Sequence, residues 1–359
     1  MYKQKLFKYQ TKLLKGGAAH TVAPAPVLDN TINVTNGIVT PKQLHVPSVD
    51  PSIQGLVTLS SVALLTHPAG PLPYQDVTIS GCSHIGGRPY QEDRFIISND
   101  VNPTSHEGYT IICVFDGHGG SDTSEYVSVS LPAICKIKLN ALPNLADPAT
   151  IMAIIIQEFT ARDQDPSVYM TQPYMGSTGT VCVITSAFII AVSIGDSPGI
   201  LFKPTGEIIG MTPIDDCANQ SELNRINADS TRPLCEVTIA NYQARLSLGQ
   251  LPNSQYDNGL DMTRAFGDAA YKPKATGTPS MGQIWPRNTG DILCVCSDSF
   301  LERSLTQVRP QAMPEIVGEV LPVLQKNNFN MPYTVAEVVL HRVRTILGGD
   351  NTTMILVRL

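Results

Sequence analysis

Carboxylates stand repeatedly at the ends of apolar, β-branched runs in this chain, and that pattern limits what it can fold into. The plainest case is Tyr109-Thr110-Ile111-Ile112-Cys113, followed by Val114-Phe115-Asp116-Gly117-His118-Gly119-Gly120. The first part reads as a buried strand. It stops at a carboxylate, a glycine, a histidine and two more glycines. Aspartate is a poor strand former, and glycine lets the backbone approach a ligand closely. A carboxylate on a rigid strand end suits a hard cation such as Mg²⁺ or Mn²⁺. A histidine two residues on is placed to move a proton. Taken alone, the heptapeptide is equally compatible with a plain turn carrying a solvated Asp and His.

The rest of the chain adds weight to the first reading. Similar acidic endings recur at Gln91-Glu92-Asp93, Gly195-Asp196-Ser197, Gly267-Asp268, Cys296-Ser297-Asp298 and Gly349-Asp350-Asn351. Carboxylates converging from several strands are what a two-cation hydrolytic site needs, because two divalent ions bring about four positive charges to neutralise.

Composition narrows the class. The 359 residues are 42% hydrophobic and 16% charged, enough for a sizeable core and against global disorder. The formal net charge of −6 argues against nucleic acid as the main partner. The eight cysteines lie mostly inside apolar strand-like runs, with no Cys-x-x-Cys. They read as reduced core thiols of a cytoplasmic or nuclear protein, not as a disulfide set or a zinc site. No apolar run approaches membrane-spanning length, and the N-terminus lacks the apolar core of a secretory signal.

Two regions are expected: residues 1–55, a basic helix and linker, and residues 56–359, a compact catalytic domain. Lys3, Lys5, Lys8, Lys12 and Lys15 accompany Tyr2, Leu6, Tyr9 and Leu13 at helical spacing. Such a basic amphipathic helix can meet an acidic membrane surface or a partner, serve in targeting, or pack on its own domain. Residues 16–55 read as an extended linker or surface tail.

Within the domain, strands are expected over Gln75–Ser83, from Arg94, over Thr180–Thr185 with Phe188–Ser193 as a hairpin, over Asp291–Ser297 and over Thr352–Val357. Helices are expected over Ser121–Asn140, interrupted near Pro132, and over Ile151–Arg162 behind an Asp147-Pro148 start. Further helices are expected over Gln220–Asn227, Pro314–Gln325, and from a Thr334/Glu337 capping box to Leu347. Residues 213–258 are otherwise irregular, as a binding loop or lid would be. Trp285 falls in a Gly/Pro loop over 275–286. Arg88 precedes Glu92 and Asp93 on a Gly/Pro turn, where its guanidinium fork suits a phosphate or a surface ion pair.

Placed in order, these motifs resemble the metal-dependent type 2C Ser/Thr protein phosphatases, the PPM family, over roughly residues 75–359. The likeness rests on Arg88-x-x-x-Glu92-Asp93, on Val114 to Gly120, on Gly176-Ser177-Thr178 and on Gly195-Asp196-Ser197. It continues through Thr263-Arg264-Ala265-Phe266-Gly267-Asp268, Ser297-Asp298 and Asp350-Asn351. The resemblance implies an α+β fold of two packed antiparallel β-sheets flanked by helices on both sides. It implies two Mg²⁺ or Mn²⁺ ions per site, held by Asp93, Asp116, Asp298 and Asp350 and by the Gly117 carbonyl. It implies that Glu92 supports the attacking water, that Arg88 holds the substrate phosphate, and that His118 protonates the leaving oxygen. The expected partner is a phosphoprotein carrying phosphoserine or phosphothreonine, and the expected state is a monomer.

The sequence departs from the family pattern in places. Ser299 stands where the family has glycine, which would strain the turn beside Asp298 if that position needs an unusual backbone angle. Pro198 follows Gly-Asp-Ser where arginine is common. Gln172, Pro173 and Tyr174 fill a region where some members carry an acid for a third metal. The alternative function is a catalytically silent relative that binds or scaffolds. Such proteins lose metal-binding acids, and here each of the expected acids is present. A third reading, a two-metal phosphoesterase acting on small molecules, would need a closed pocket.

Overall fold

The computed structural model describes residues 77–165, 172–237, 244–249, 259–301, 313–345 and 349–359, with the backbone of short strands at 34–35, 38–39 and 56–62. The expected basic helix over residues 2–15 and most of the expected linker lie outside the described residues.

The first strands are β1 (Val34–Thr35), β2 (Ile38–Val39), β3 (Leu56–Val62), β4 (Thr78–His84), β5 (Arg94–Val101), β6 (Gly108–Phe115) and β7 (Gly117–His118). Helices α1 (Asp122–Asn140) and α2 (Pro148–Asp163) follow. Next come β8 (Gly176–Ser177), β9 (Gly179–Ile184), β10 (Phe188–Ile194), β11 (Gly199–Phe202) and β12 (Ile208–Met211). Helix α3 (Gln220–Asn227) precedes β13 (Leu234–Val237), β14 (Ala244–Ser247), β15 (Phe266–Gly267), β16 (Gly282–Pro286) and β17 (Ile292–Cys296). Helices α4 (Met313–Lys326) and α5 (Met331–Thr345) and strand β18 (Thr352–Arg358) end the chain.

Two antiparallel sheets dominate. One runs β1-β2-β5-β6-β9-β10-β16 and the other β12-β11-β17-β18-β4-β3. Strand β6 shows why they stack. It is buried along its whole length, so both of its faces must be covered. Ile112 and Val114 point to one side, where they meet Phe95, Leu293, Val295 and Ile355. The last three lie on the opposite sheet, so this cluster is the layer between the sheets. Ile111, Cys113 and Phe115 alternate to the other side and pack on Val127, Leu131 and Phe159 of α1 and α2. The outer face of the second sheet is covered in the same way: Cys82, Cys294 and Leu356 meet Ile316 and Val320 of α4 and Val335 and Val339 of α5. The result is the expected α+β sandwich, two sheets between two helix layers. None of the helices among the described residues is long and apolar enough to cross a membrane.

Local sequence explains the helix ends. Asp147 caps α2 through its carboxylate, which accepts from the Ala149 N–H at 3.0 Å, with Pro148 as the first helical residue. Asn219 caps α3 by accepting from Ser221 N–H at 3.1 Å.

Several expectations are corrected. Helix α1 runs unbroken through Pro132. Thr334 does not begin a helix: α5 starts at Met331, and the Thr334 hydroxyl donates back to the Asn330 carbonyl at 2.8 Å. Glu337 instead pairs with Lys326 of α4. Trp285 is not in a loop but on strand β16, beside Ile189 of β10, and its ring is buried between the sheets. Six cysteines are buried free thiols, as expected, but Cys217 and Cys235 form a disulfide. It joins the stretch before α3 to β13, within an apolar cluster of Ile226, Leu246, Leu260 and Met262. Their Cα atoms are 5.5 Å apart, within the span a disulfide needs.

Candidate active site

Strand β6 delivers Asp116 at its C-terminal end, and hydrogen bonds fix the backbone there. The Asp116 N–H donates to Thr178 Oγ1 at 3.1 Å, and the Thr178 N–H donates to the Asp116 carbonyl at 2.9 Å. Asp298 follows β17 and approaches closely: its N–H donates to Asp116 Oδ2 at 3.3 Å. Asp93, just before β5, is buried, and its Oδ2 accepts from Thr353 Oγ1 of β18 at 2.7 Å. Its buried Oδ1 has no hydrogen-bond partner. Thr353 and Ser297 bind one another twice, each bond 3.0 Å long, so β17 and β18 are locked beside this carboxylate.

Asp350 precedes β18 and meets Arg88, whose Nη2 lies 2.7 Å from Asp350 Oδ2. Asn351 holds the turn that carries Arg88. Its Oδ1 accepts from Glu92 N–H at 2.8 Å, and its Nδ2 donates to the Ile85 carbonyl at 2.8 Å and the Tyr90 carbonyl at 3.3 Å. Glu92 Oε1 accepts from Gly120 N–H at 2.7 Å. Gly117 sits where no side chain fits: a Cβ would lie 2.6 Å from the Glu92 carbonyl oxygen and 2.7 Å from Ser124 Oγ. His118 Nε2 lies 2.7 Å from Oδ2 of the fully buried Asp268.

The structure therefore gathers the residues expected at the site: Arg88, Glu92, Asp93, Asp116, Gly117, His118, Asp298 and Asp350. Their electrostatics agree with one crowded anionic centre. Burial pushes the Asp93 carboxyl up to about 7, helped by the Asp350 charge and opposed by the Thr353 hydroxyl. Burial also raises Asp116 well above the carboxylate range, and the charges of Asp93 and Asp298 add to it. Glu92 is raised by burial against the Gly120 N–H. At His118 burial works to lower the pKa, but the charge and hydrogen bond of Asp268 outweigh it and the pKa rises.

Among the described residues no group of three or more histidine, cysteine, aspartate or glutamate side chains is arranged to hold one metal ion. The donors nevertheless fit hard cations. They are all oxygen ligands, they repel one another, and Asp93 Oδ1 is buried without a donor. A cation among them would relieve that repulsion, with Asp350 released from Arg88.

The departures from the family pattern are accommodated. Ser299 is absent from the residues with left-handed backbone, so no strain arises beside Asp298. Its hydroxyl lies 3.1 Å from Ser297 Oγ, and its carbonyl accepts from Arg342 Nε at 2.6 Å. The Pro198 carbonyl accepts from Cys296 N–H at 3.1 Å. Thr178, Asn351 and Asp268 were visible within the motifs, but without the partners that the structure gives them, and Thr353 was visible only as a strand residue. The available signal for Asp268 was its place after Gly267 at a strand end.

Residues 78–302, more than half of the chain, match the family model for protein phosphatase 2C. The chain belongs to that family. It is similar to mouse protein phosphatase 1E, at 24% identity over 80% of this chain and 35% of that one. It is also similar to bovine protein phosphatase 1L, at 28% identity over 35% of this chain and 36% of that one. The matched stretches thus span about a third of those relatives' own length. Among solved structures, the serine-threonine phosphatase 2C from Toxoplasma gondii shares the fold, with a TM-score of 0.63 at 18% identity. That match covers 84% of this chain and 98% of the other.

Proposed function

We propose that the chain is a metal-dependent protein serine/threonine phosphatase that uses two Mg²⁺ or Mn²⁺ ions. The observation that carries this reading is the gathering of Asp93, Asp116, Asp298 and Asp350 from four separate segments, with Arg88 on one side and His118 on another. Asp93, Asp116, Asp298, Asp350 and the Gly117 carbonyl would hold the ions. When bound, such cations make water a nucleophile near neutral pH and offset charge developing on the phosphoryl oxygens.

The chain's own residues do the rest. Arg88 has a half-exposed guanidinium beside the carboxylates, free to turn from Asp350 to a phosphate dianion and bind two of its oxygens. It carries no lone pair, so it is not a metal ligand. Glu92, whose Oε1 accepts from the Gly120 N–H, would orient the water. His118 gives a proton to the departing serine or threonine oxygen, which would otherwise leave as a poor alkoxide. No protein nucleophile is needed, and the free thiols are buried in the core.

The test is hydrolysis of a phosphoserine or phosphothreonine peptide with and without added Mn²⁺, and after chelation. Mn²⁺-dependent turnover that chelator abolishes is the expected result. Binding of the phosphopeptide without turnover at any Mn²⁺ level would favour the silent, scaffolding alternative. Turnover of small phosphate esters but not of the peptide would point to a small-molecule phosphoesterase.

A further inference from the structure

We propose that Asp268 is a positioning residue for His118, holding one ring nitrogen so that the other delivers the proton. The inference rests on the phosphatase reading above and deepens it.

Three observations meet at this pair. The first is topological. Strands β7, β8 and β15 form a separate small sheet, in the order β15-β8-β7. Its register sets His118 opposite Gly176 and Gly176 opposite Gly267. The sheet thus lines up His118, Gly176 and the residue pair Gly267-Asp268 across its width.

The second is steric. A Cβ on Gly176 would lie 2.1 Å from Asp268 Oδ2 and 2.5 Å from His118 Nε2. Any side chain on the middle strand would stand inside the hydrogen bond. Gly176 leaves the space in which the two side chains meet.

The third is the buried carboxylate itself. Asp268 is fully buried, with Oδ2 on His118 at 2.7 Å and Oδ1 without a partner. The nearby cation Lys272 is committed elsewhere, with Nζ 2.8 Å from both oxygens of Asp163. A buried carboxylate is costly unless paired, so His118 is its compensation. Asp268 also holds a left-handed backbone at φ 52, uncommon for a non-glycine residue. Its N–H donates to the Met175 carbonyl at 2.9 Å, just before Gly176.

His118 Nδ1, the other ring nitrogen, is buried and has no hydrogen-bond partner. The proton balance follows. Doubly protonated His118 donates from Nδ1 as the bond between phosphorus and the leaving oxygen breaks. The oxygen departs as an alcohol. The neutral ring keeps its remaining proton on Nε2, where Asp268 Oδ2 accepts it. A carboxylate behind an imidazole fixes ring orientation and tautomer in this way without itself taking the proton.

The test pairs Asp268→Asn with His118→Gln in the full chain loaded with Mn²⁺. With a phosphoserine peptide, whose leaving group is poor, Asp268→Asn should cut kcat by about 100-fold and leave KM near wild type. With p-nitrophenyl phosphate, whose leaving oxygen needs little protonation, the loss should be small. The double variant should be no slower than His118→Gln alone. Gly176→Ala should give the same leaving-group pattern. Equal losses on both substrates, or fully additive losses in the double variant, would overturn the proposal. A readout independent of turnover is the ¹⁵N spectrum of the His118 ring in the substrate-free protein. Asp268→Asn should shift its tautomer balance away from Nε2–H. An unchanged ring spectrum would overturn the proposal even if the chain proved to be an active phosphatase. A shifted spectrum in a protein inactive on both substrates would uphold the pairing and overturn the phosphatase reading instead.

Discussion

Arg88 and Asp350 form an ion pair with 2.7 Å between Nη2 and Oδ2, across 262 residues of sequence. The pair joins the residue expected to hold phosphate to one expected to hold metal. It therefore predicts two separable effects of removing the arginine. Arg88→Ala should raise KM and lower kcat/KM on a phosphopeptide, by on the order of 2–4 kcal/mol where the contact is desolvated. Metal affinity, measured by calorimetry without substrate, should hold or rise, because Asp350 loses a competing cation. Arg88→Lys should recover only part of the kinetic loss, since a point charge cannot reproduce the fork. Wild-type kcat/KM in Arg88→Ala would reduce Arg88 to a structural ion pair.

Asp298 tests the metal set. It donates its N–H to Asp116 Oδ2 and sits on the short turn after β17, so its carboxylate is presented from a fixed backbone. Asp298→Asn keeps the shape and removes one negative charge. Mn²⁺ affinity should fall, and turnover at limiting Mn²⁺ should drop by on the order of 100-fold or more. Melting temperature without metal should rise slightly, because one charge leaves a crowded anionic group. Unchanged activity at limiting Mn²⁺ would remove Asp298 from the site.

The parts of this architecture legible in the sequence were those written in local pattern. The uninterrupted apolar run of β6 declared a strand covered on both faces, and the structure covers it on both. The span Gln220–Asn227 and the Asp147-Pro148 start were readable because capping is a short-range interaction. The acids that the fold brings together were readable because several stand at the end of an apolar run, and the ordered motifs tied the chain to one family. What stayed hidden depends on long-range pairing. Strand β16 is short and exposed along much of its length, so only its ladder with β10 reveals that Trp285 lies between the sheets. Thr334 mimics a cap, but the hydrogen bond to Asn330 shows a helix that had already begun. Asp268 reaches His118 across 150 residues through a sheet of two-residue strands, which leave no periodic trace.

The disulfide yields a chemical prediction. Cys217 and Cys235 are separated by 18 residues and are paired, while Cys82, Cys113, Cys135, Cys182, Cys294 and Cys296 are free and buried. Denatured but unreduced protein should titrate six thiols, and reduced protein all eight. Replacing both paired cysteines by serine should cost about 3 kcal/mol of stability on the chain-entropy view. The carboxylate centre should keep its Mn²⁺ affinity, because neither cysteine touches it. Eight titratable thiols without reductant would restore the expectation of a fully reduced chain.

A pH prediction follows from Asp215, whose Oδ2 accepts from the Gly195 N–H at 3.3 Å. It is fully buried, and its best cation is shared. Arg264 Nη2 lies 2.7 Å from Glu222 Oε1, while Arg264 Nε reaches Asp215 Oδ1 only at 3.6 Å. Burial pushes the Asp215 carboxyl up to about 7, against the lowering effect of Arg264. In the unfolded chain the same group titrates near 3.9. The native state thus holds this proton more tightly than the unfolded state does. The resulting stabilisation is complete below about pH 4 and is lost as pH rises through about 7. Asp215→Asn does not titrate, so the difference in melting temperature, variant minus wild type, should increase between about pH 4 and 7 and then level off. Comparing the two proteins at each pH cancels the titration of all other groups they share. A difference that stays flat over that range would show that Arg264 keeps Asp215 ionised in the folded state, with burial the weaker influence.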